Sequence, residues 1–184
     1  MKIAILGWGS LLWEPKGLKC DKCWRKDGPE LPIEFARISK DGRLTLVIYP
    51  TVKKVKTYWT LSTESTLEAA RQNLRKREGT CLDKIGFVSL QDGNGHSQFR
   101  DSVKGPIQTW AREKKVDAVI WTDLESRFQN KCGEDFSEEA AIKYLKCLTG
   151  GKKEKAKKYI LCAPEQTDTS LRRRIIEKLG WSVD

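Results

Sequence analysis

Apolar positions along this chain run on, alternate or recur at helical spacing in separate stretches, and each pattern predicts an element. Ile3-Ala4-Ile5-Leu6 is an unbroken apolar run, so residues 2–6 read as a short buried strand. Residues 13–31 mix Gly, Pro, Lys and Trp without a period and read as an irregular loop. Glu34 to Ile38 reads as a strand, and Asp41-Gly42 signals a hairpin. Arg43 to Tyr49 alternates, with Leu44, Leu46 and Ile48 on one face, and Val55 to Leu61 is a further strand.

The next stretch changes period. Ser65-Thr66-Leu67-Glu68 fits a capping box, and Leu67, Ala70 and Leu74 form a helical stripe. Gly79 sits where a left-handed residue ends a helix, which places Glu78 at the helix C-terminus. Lys84 to Leu90 reads as a returning strand and Gln91 to Gly95 as a turn, leaving His96 in or beside a loop. A short helix over 106–114 and a strand at Ala118-Val119-Ile120-Trp121 follow. Ser137 caps a helix with Ala141, Tyr144, Leu145 and Leu148 inward, stopped by Gly150. Lys152 to Leu161, and Ser170 to Leu179 behind the Asp168-Thr169 cap, read as the last two helices.

Strands dominate the first two thirds and helices the last third. That segregation predicts an α+β fold with a small, strongly bent mixed β-sheet or barrel, flanking helices and a helical C-terminal third. With 184 residues and no repeat, low-complexity tract or long linker, residues 1–184 read as a single domain, the helical extension covering about 117–184.

Composition narrows the classes. Hydrophobic residues make up 39% and charged residues 33%, and no apolar run approaches the roughly 18 residues of a membrane span. The opening Met1 to Gly7 is too short in its apolar part for a signal peptide, so a cytoplasmic protein with reduced thiols is expected. Cys20-Asp21-Lys22-Cys23 is a lone CxxC pair, and His96 is the only histidine, so no metal is expected. The net charge of +10 admits acidic substrates or nucleic acid. Lys152-Lys153-Glu154-Lys155-Ala156-Lys157-Lys158 reads first as the solvated face of a helix, and no aromatics interleave with it to stack bases.

Two features carry chemistry. Gly7-Trp8-Gly9-Ser10-Leu11 is a turn leaving the first strand, and without Cβ atoms at Gly7 and Gly9 its backbone can approach a ligand closely. Its successive amides suit an anion, with Ser10 adding a hydroxyl. A tight strand exit with no ligand is the alternative. The pattern lacks the glycine spacing and lysine of a phosphate loop. Glu78 faces the negative end of its helix dipole, which favours proton uptake and suits proton transfer. By position alone, a solvated helix-end glutamate is the plainer reading, and Arg75, Lys76 and Arg77 oppose the dipole wherever they approach it. Ser10 and the cysteines have no histidine base at hand. Trp8 and Trp13 flank the turn as candidate walls.

Gly7-Trp8-Gly9-Ser10-Leu11-Leu12-Trp13 resembles the glycine–aromatic–glycine–serine–leucine opening of γ-glutamylcyclotransferase-like proteins. Phe35-Ala36-Arg37, the strands 43–49 and 55–61, and a helix ending Arg77-Glu78-Gly79 follow in the order of that family. The resemblance covers roughly residues 3–90 and leaves the tail from Asp117 without an assigned role. It implies a small barrel with flanking helices. Gly7, Trp8, Gly9, Ser10 and Leu11 would hold the amino acid end of a γ-glutamyl substrate through backbone N–H groups, and Glu78 would act as general acid and base. It implies cyclisation to 5-oxoproline with release of an amine or peptide, of lyase or acyltransferase type, with no cofactor. Trp8 stands where many members carry tyrosine, which reshapes the pocket. The charge and the basic final third keep a second class open, a non-catalytic small-molecule or nucleic-acid binding module on the same fold.

Overall fold

A computed structural model of the chain describes residues 1–99 and 101–182. The strands are β1 (Ile3–Gly7), β2 (Glu30–Leu31), β3 (Ile33–Ile38), β4 (Leu44–Ile48), β5 (Val55–Lys56), β6 (Tyr58–Leu61), β7 (Ile85–Ser89), β8 (Gly95–His96) and β9 (Ala118–Thr122). The helices are α1 (Leu67–Glu78), α2 (Asp101–Glu113), α3 (Phe128–Cys132), α4 (Glu138–Cys147), α5 (Gly150–Cys162) and α6 (Ser170–Leu179). They fall into two compact units, Met1–Leu31 with Lys56–Leu124, and Pro32–Val55 with Glu125–Asp184.

The first unit is built on a five-stranded mixed sheet in the order β6-β1-β9-β7-β8. β1 and β9 are parallel neighbours, and β6 and β7 flank them antiparallel. Strands paired on both sides and covered on both faces need continuous apolar runs, which Ile3-Ala4-Ile5-Leu6 and Ala118-Val119-Ile120-Trp121 supply. Ile3, Ile5, Ala118, Ile120 and Ile85 form one face, and Ala70 and Leu74 of α1 pack into it. Residues 117–124, at the head of the expected extension, thus contribute a central strand of this sheet.

The expected barrel does not form among the described residues. The five-stranded sheet is open, with β6 and the two-residue β8 at its edges. Closing it would require its end strands to pair. β3 and β4 pair with each other in a separate ribbon.

That ribbon belongs to the second unit. Ser39 and Arg43 close the hairpin, and Gly42 at its tip has φ 84°, a value that favours glycine. The Tyr144 hydroxyl donates to the Gly42 carbonyl at 2.7 Å. Phe128 and Phe136 stack edge-on with centroids 5.2 Å apart, and Tyr49 meets Phe136 at 4.8 Å. Arg172 of α6 donates to the carbonyls of Leu161, Ala163 and Pro164, satisfying the end of α5.

Several boundaries differ from the sequence pattern for local reasons. The N-cap of α1 is Thr66, whose Oγ1 accepts from Ala69 N–H at 3.2 Å, one residue beyond the expected box. Glu68 is then one place too early to reach back, and bonds Arg71 and Gln72 instead. Gly150 starts α5, while α4 ends at Cys147 because Leu148 turns extended. α2 begins at Asp101, with Pro106 inside it. The strand expected over 55–61 is interrupted at Thr57, whose hydroxyl donates to the Pro29 carbonyl at 2.8 Å.

Candidate functional site

Topology decides where Glu78 ends up. β6 and β7 both run antiparallel to the β1–β9 pair, so they run parallel to each other. α1 connects them and must travel back against both, in the direction of β1 and β9. Its C-terminus therefore lies at the carboxyl end of those two central strands, where residues 7–11 leave the sheet. Ala70, Leu74 and Glu78 are spaced four apart and share a face. The first two are buried against the sheet, so the third is carried toward it just beyond Ile5 and Ile120. Gly79, in the left-handed conformation at φ 60°, stops the helix there by returning its N–H to Arg75 and Lys76.

Hydrogen bonds join the two stretches. Arg77 Nη1 donates to Glu78 Oε1 at 2.7 Å. Arg77 Nη2 donates to Ser10 Oγ at 3.2 Å and to the Glu14 carbonyl at 2.7 Å. The Arg77 side chain is 6% exposed and that of Glu78 15%. Glu78 Oε2 receives no hydrogen bond among the described residues. The carboxylate thus has one oxygen fixed by a guanidinium and one uncommitted. Arg77 sets a cation beside Glu78, as the sequence allowed, and its fork also spans 67 residues of sequence to hold the turn.

The turn itself is compact. Leu12 N–H returns to the Gly9 carbonyl at 3.0 Å and Glu14 N–H to the Ser10 carbonyl at 2.8 Å. The amides of Trp8, Gly9, Ser10 and Leu11 donate to no acceptor among the described residues. Trp8 and Leu11 are buried, Ser10 and Trp13 half-buried. Gly7 is needed for a neighbour rather than for curvature. A Cβ there would stand 2.7 Å from Cζ3 of Trp24, whose ring occupies that space. The structure therefore brings Glu78 and Ser10 into one hydrogen-bonded group, with the four free amides beside them.

Other titratable groups stand apart from this network. Asp123, fully buried, accepts from Gln98 N–H at 2.6 Å and from the Trp121 indole at 3.1 Å. Burial pushes its carboxyl up and those hydrogen bonds pull it back. The Trp121 ring it holds lies against Gly86, where a Cβ would come within 2.3 Å of the indole. His96 is exposed on β8, with Nε2 3.0 Å from the Asp83 carbonyl. Cys20 is buried against the core and Cys23 is exposed, and all six thiols are free. In the second unit, Lys152, Lys153, Lys155 and Lys158 of α5 are exposed while Ala156, Tyr159 and Ile160 are buried, the arrangement of a solvated cationic face.

The sequence alone does not single out the Arg77–Ser10 contact, since Arg77 is one of three consecutive cations in the last turn of α1. Among the described residues no helix is long and apolar enough to cross a membrane. A scan against protein-family models, a search of curated proteins and a search of solved structures each found no match to this chain.

Proposed function

We propose that this chain is a γ-glutamylcyclotransferase-like enzyme that converts a γ-glutamyl amide or peptide to 5-oxoproline and a free amine. The observation that carries the reading is the Ser10–Arg77–Glu78 network, which sets a carboxylate with one uncommitted oxygen beside a turn with four unpaired amides. The amides of Trp8 to Leu11 suit the substrate's α-carboxylate, and the turn fixes the chain for ring closure. Glu78 Oε2 takes a proton from the α-amine as its nitrogen attacks the γ-carbonyl carbon. A C–N bond forms, the carbonyl oxygen gains charge, and the original C–N bond breaks as Glu78 returns the proton to the leaving amine. Nothing is oxidised and no water is consumed.

The test is release of 5-oxoproline from a panel of γ-glutamyl dipeptides, γ-glutamylamines and glutathione. Wild type should turn over at least one member. Glu78→Gln, which keeps an oxygen for Arg77, should lose about 10²-fold or more in kcat while the protein still unfolds in one cooperative transition. A wild type inert across the whole panel refutes the proposal.

A further inference from the structure

Thr122 stands at the same end of the sheet. The parallel β1–β9 register pairs Ile5 with Ile120, two residues before Gly7 on one strand and before Thr122 on the other. On its other side Thr122 pairs with Ile85, the first residue of β7. Side chains alternate along β9, so Thr122 projects from the face that carries Ile120, the face α1 covers. Glu78 extends the α1 stripe over that face at that end.

The Thr122 hydroxyl is unusual in being closed off from solvent and without a hydrogen-bond partner. In the first unit Arg71 Nε and Arg77 Nε share that condition among the described residues. Both have compensation, since Arg71 lies 4.2 Å over the Phe87 ring and Arg77 makes three other hydrogen bonds. Thr122 has no second polar group to compensate it. Valine has the same shape without the cost of an unsatisfied hydroxyl, so a purely structural role would favour valine here.

We propose that Thr122 is a substrate-contacting residue of this site, its hydroxyl donating to the γ-carbonyl oxygen of the substrate. The assignment rests on the cyclisation proposed above. That reaction places its growing charge on the carbonyl oxygen, and the other groups at this end are committed elsewhere. Glu78 is occupied with the proton it moves between the two amines, the Arg77 terminal nitrogens are spent on Glu78, Ser10 and Glu14, and the amides of residues 8–11 serve the carboxylate. A donor held in place before the reaction stabilises that charge without reorganising.

The experiment compares Thr122→Val and Thr122→Ser with wild type in 5-oxoproline release and in urea unfolding. Thr122→Val should lose about tenfold or more in kcat with KM little changed, a loss the size of one hydrogen bond made in the transition state. Its unfolding midpoint should equal or exceed that of wild type. Thr122→Ser should keep kcat within about threefold of wild type, because it retains the donor. A Thr122→Val enzyme with wild-type kinetics, or one that loses activity and stability together, overturns this assignment and leaves the cyclisation standing. A wild type that neither turns over nor is thermally stabilised by any member of the substrate panel overturns both.

Discussion

Replacing Glu34 with glutamine should stabilise the protein at neutral pH and leave it nearly unchanged in mild acid. Glu34 lies on β3 and is 2% exposed. Its Oε1 accepts from the Thr169 hydroxyl at 2.6 Å and from Phe35 N–H at 2.8 Å. Thr169 is also the N-cap of α6, accepting from Arg172 N–H at 3.2 Å, so the carboxyl is tied to the start of that helix. Burial pushes the Glu34 carboxyl from 4.5 to about 6, the two hydrogen bonds acting against the rise and the charge of Glu138 adding to it. That rise corresponds to about 2 kcal/mol against the ionised form.

The sign follows from where the protons are. Below pH 4.5 the folded and unfolded carboxyls both hold a proton, and the penalty is absent. Between 4.5 and about 6 the folded chain keeps a proton that the unfolded chain has released, so stability falls as pH rises. Above that window the full penalty, about 2 kcal/mol, is in force. Glutamine retains the Oε1 acceptor for Thr169 and Phe35 but cannot ionise. Urea unfolding of both proteins across pH 4 to 8 should show the variant gaining on wild type by about 2 kcal/mol over this range, at constant m. Taking the difference cancels the other groups that titrate in the window. A difference independent of pH, or a wild type that gains on the variant as pH rises, would refute the reasoning.

Two substitutions at the candidate site test its packing. Arg77→Met removes the donor of three hydrogen bonds and leaves the largely buried Glu78 carboxylate without its cation, so urea unfolding at pH 7 should show a loss of about 3 kcal/mol. Arg77→Lys, which restores charge without the fork, should recover only part of it. Gly7→Ala places a Cβ against the Trp24 ring and 3.0 Å from Leu12 Cδ1. It should cost about 1–3 kcal/mol in the same assay and shift the Trp24 indole resonance.

The elements that were legible in the sequence are those whose determinants are local. α6 spans the expected residues 170–179 because Thr169 caps it and Gly180 ends it within one stretch of chain. α1 moved by a single residue because two adjacent hydroxyls, Ser65 and Thr66, both fit an N-cap, and it is Thr66 that accepts from Ala69 N–H. What escaped the sequence depends on distant partners. A strand's pattern says that it is buried, not what it pairs with, so β3 and β4 could be assigned to a barrel they do not join. Glu34 sat inside a correctly placed strand, but the Thr169 hydroxyl that donates to it comes from 135 residues away. At the candidate site, Glu78 and the turn were each visible alone. Arg77 was visible as a charge, and its three hydrogen bonds follow only from the crossover that brings α1 back along β1.

That crossover turns helix length into chemistry. α1 has 12 residues, about 18 Å at 1.5 Å per residue. β1 has five residues, about 17 Å at strand rise. Helix and strand travel the same way over nearly the same distance, so the last residue of the helix arrives where the strand turns out of the sheet. One helical turn fewer would put the carboxylate over Ile5, in the apolar core, where ionisation is costly. One turn more would carry it past the sheet into solvent, away from Ser10 and the free amides. The stop at Gly79 therefore fixes the position of Glu78 as surely as any contact Glu78 makes. Inserting a full turn between Thr66 and Gly79 should leave the helix intact but break the hydrogen-bonded link from Glu78 through Arg77 to Ser10, and with it the proposed cyclisation.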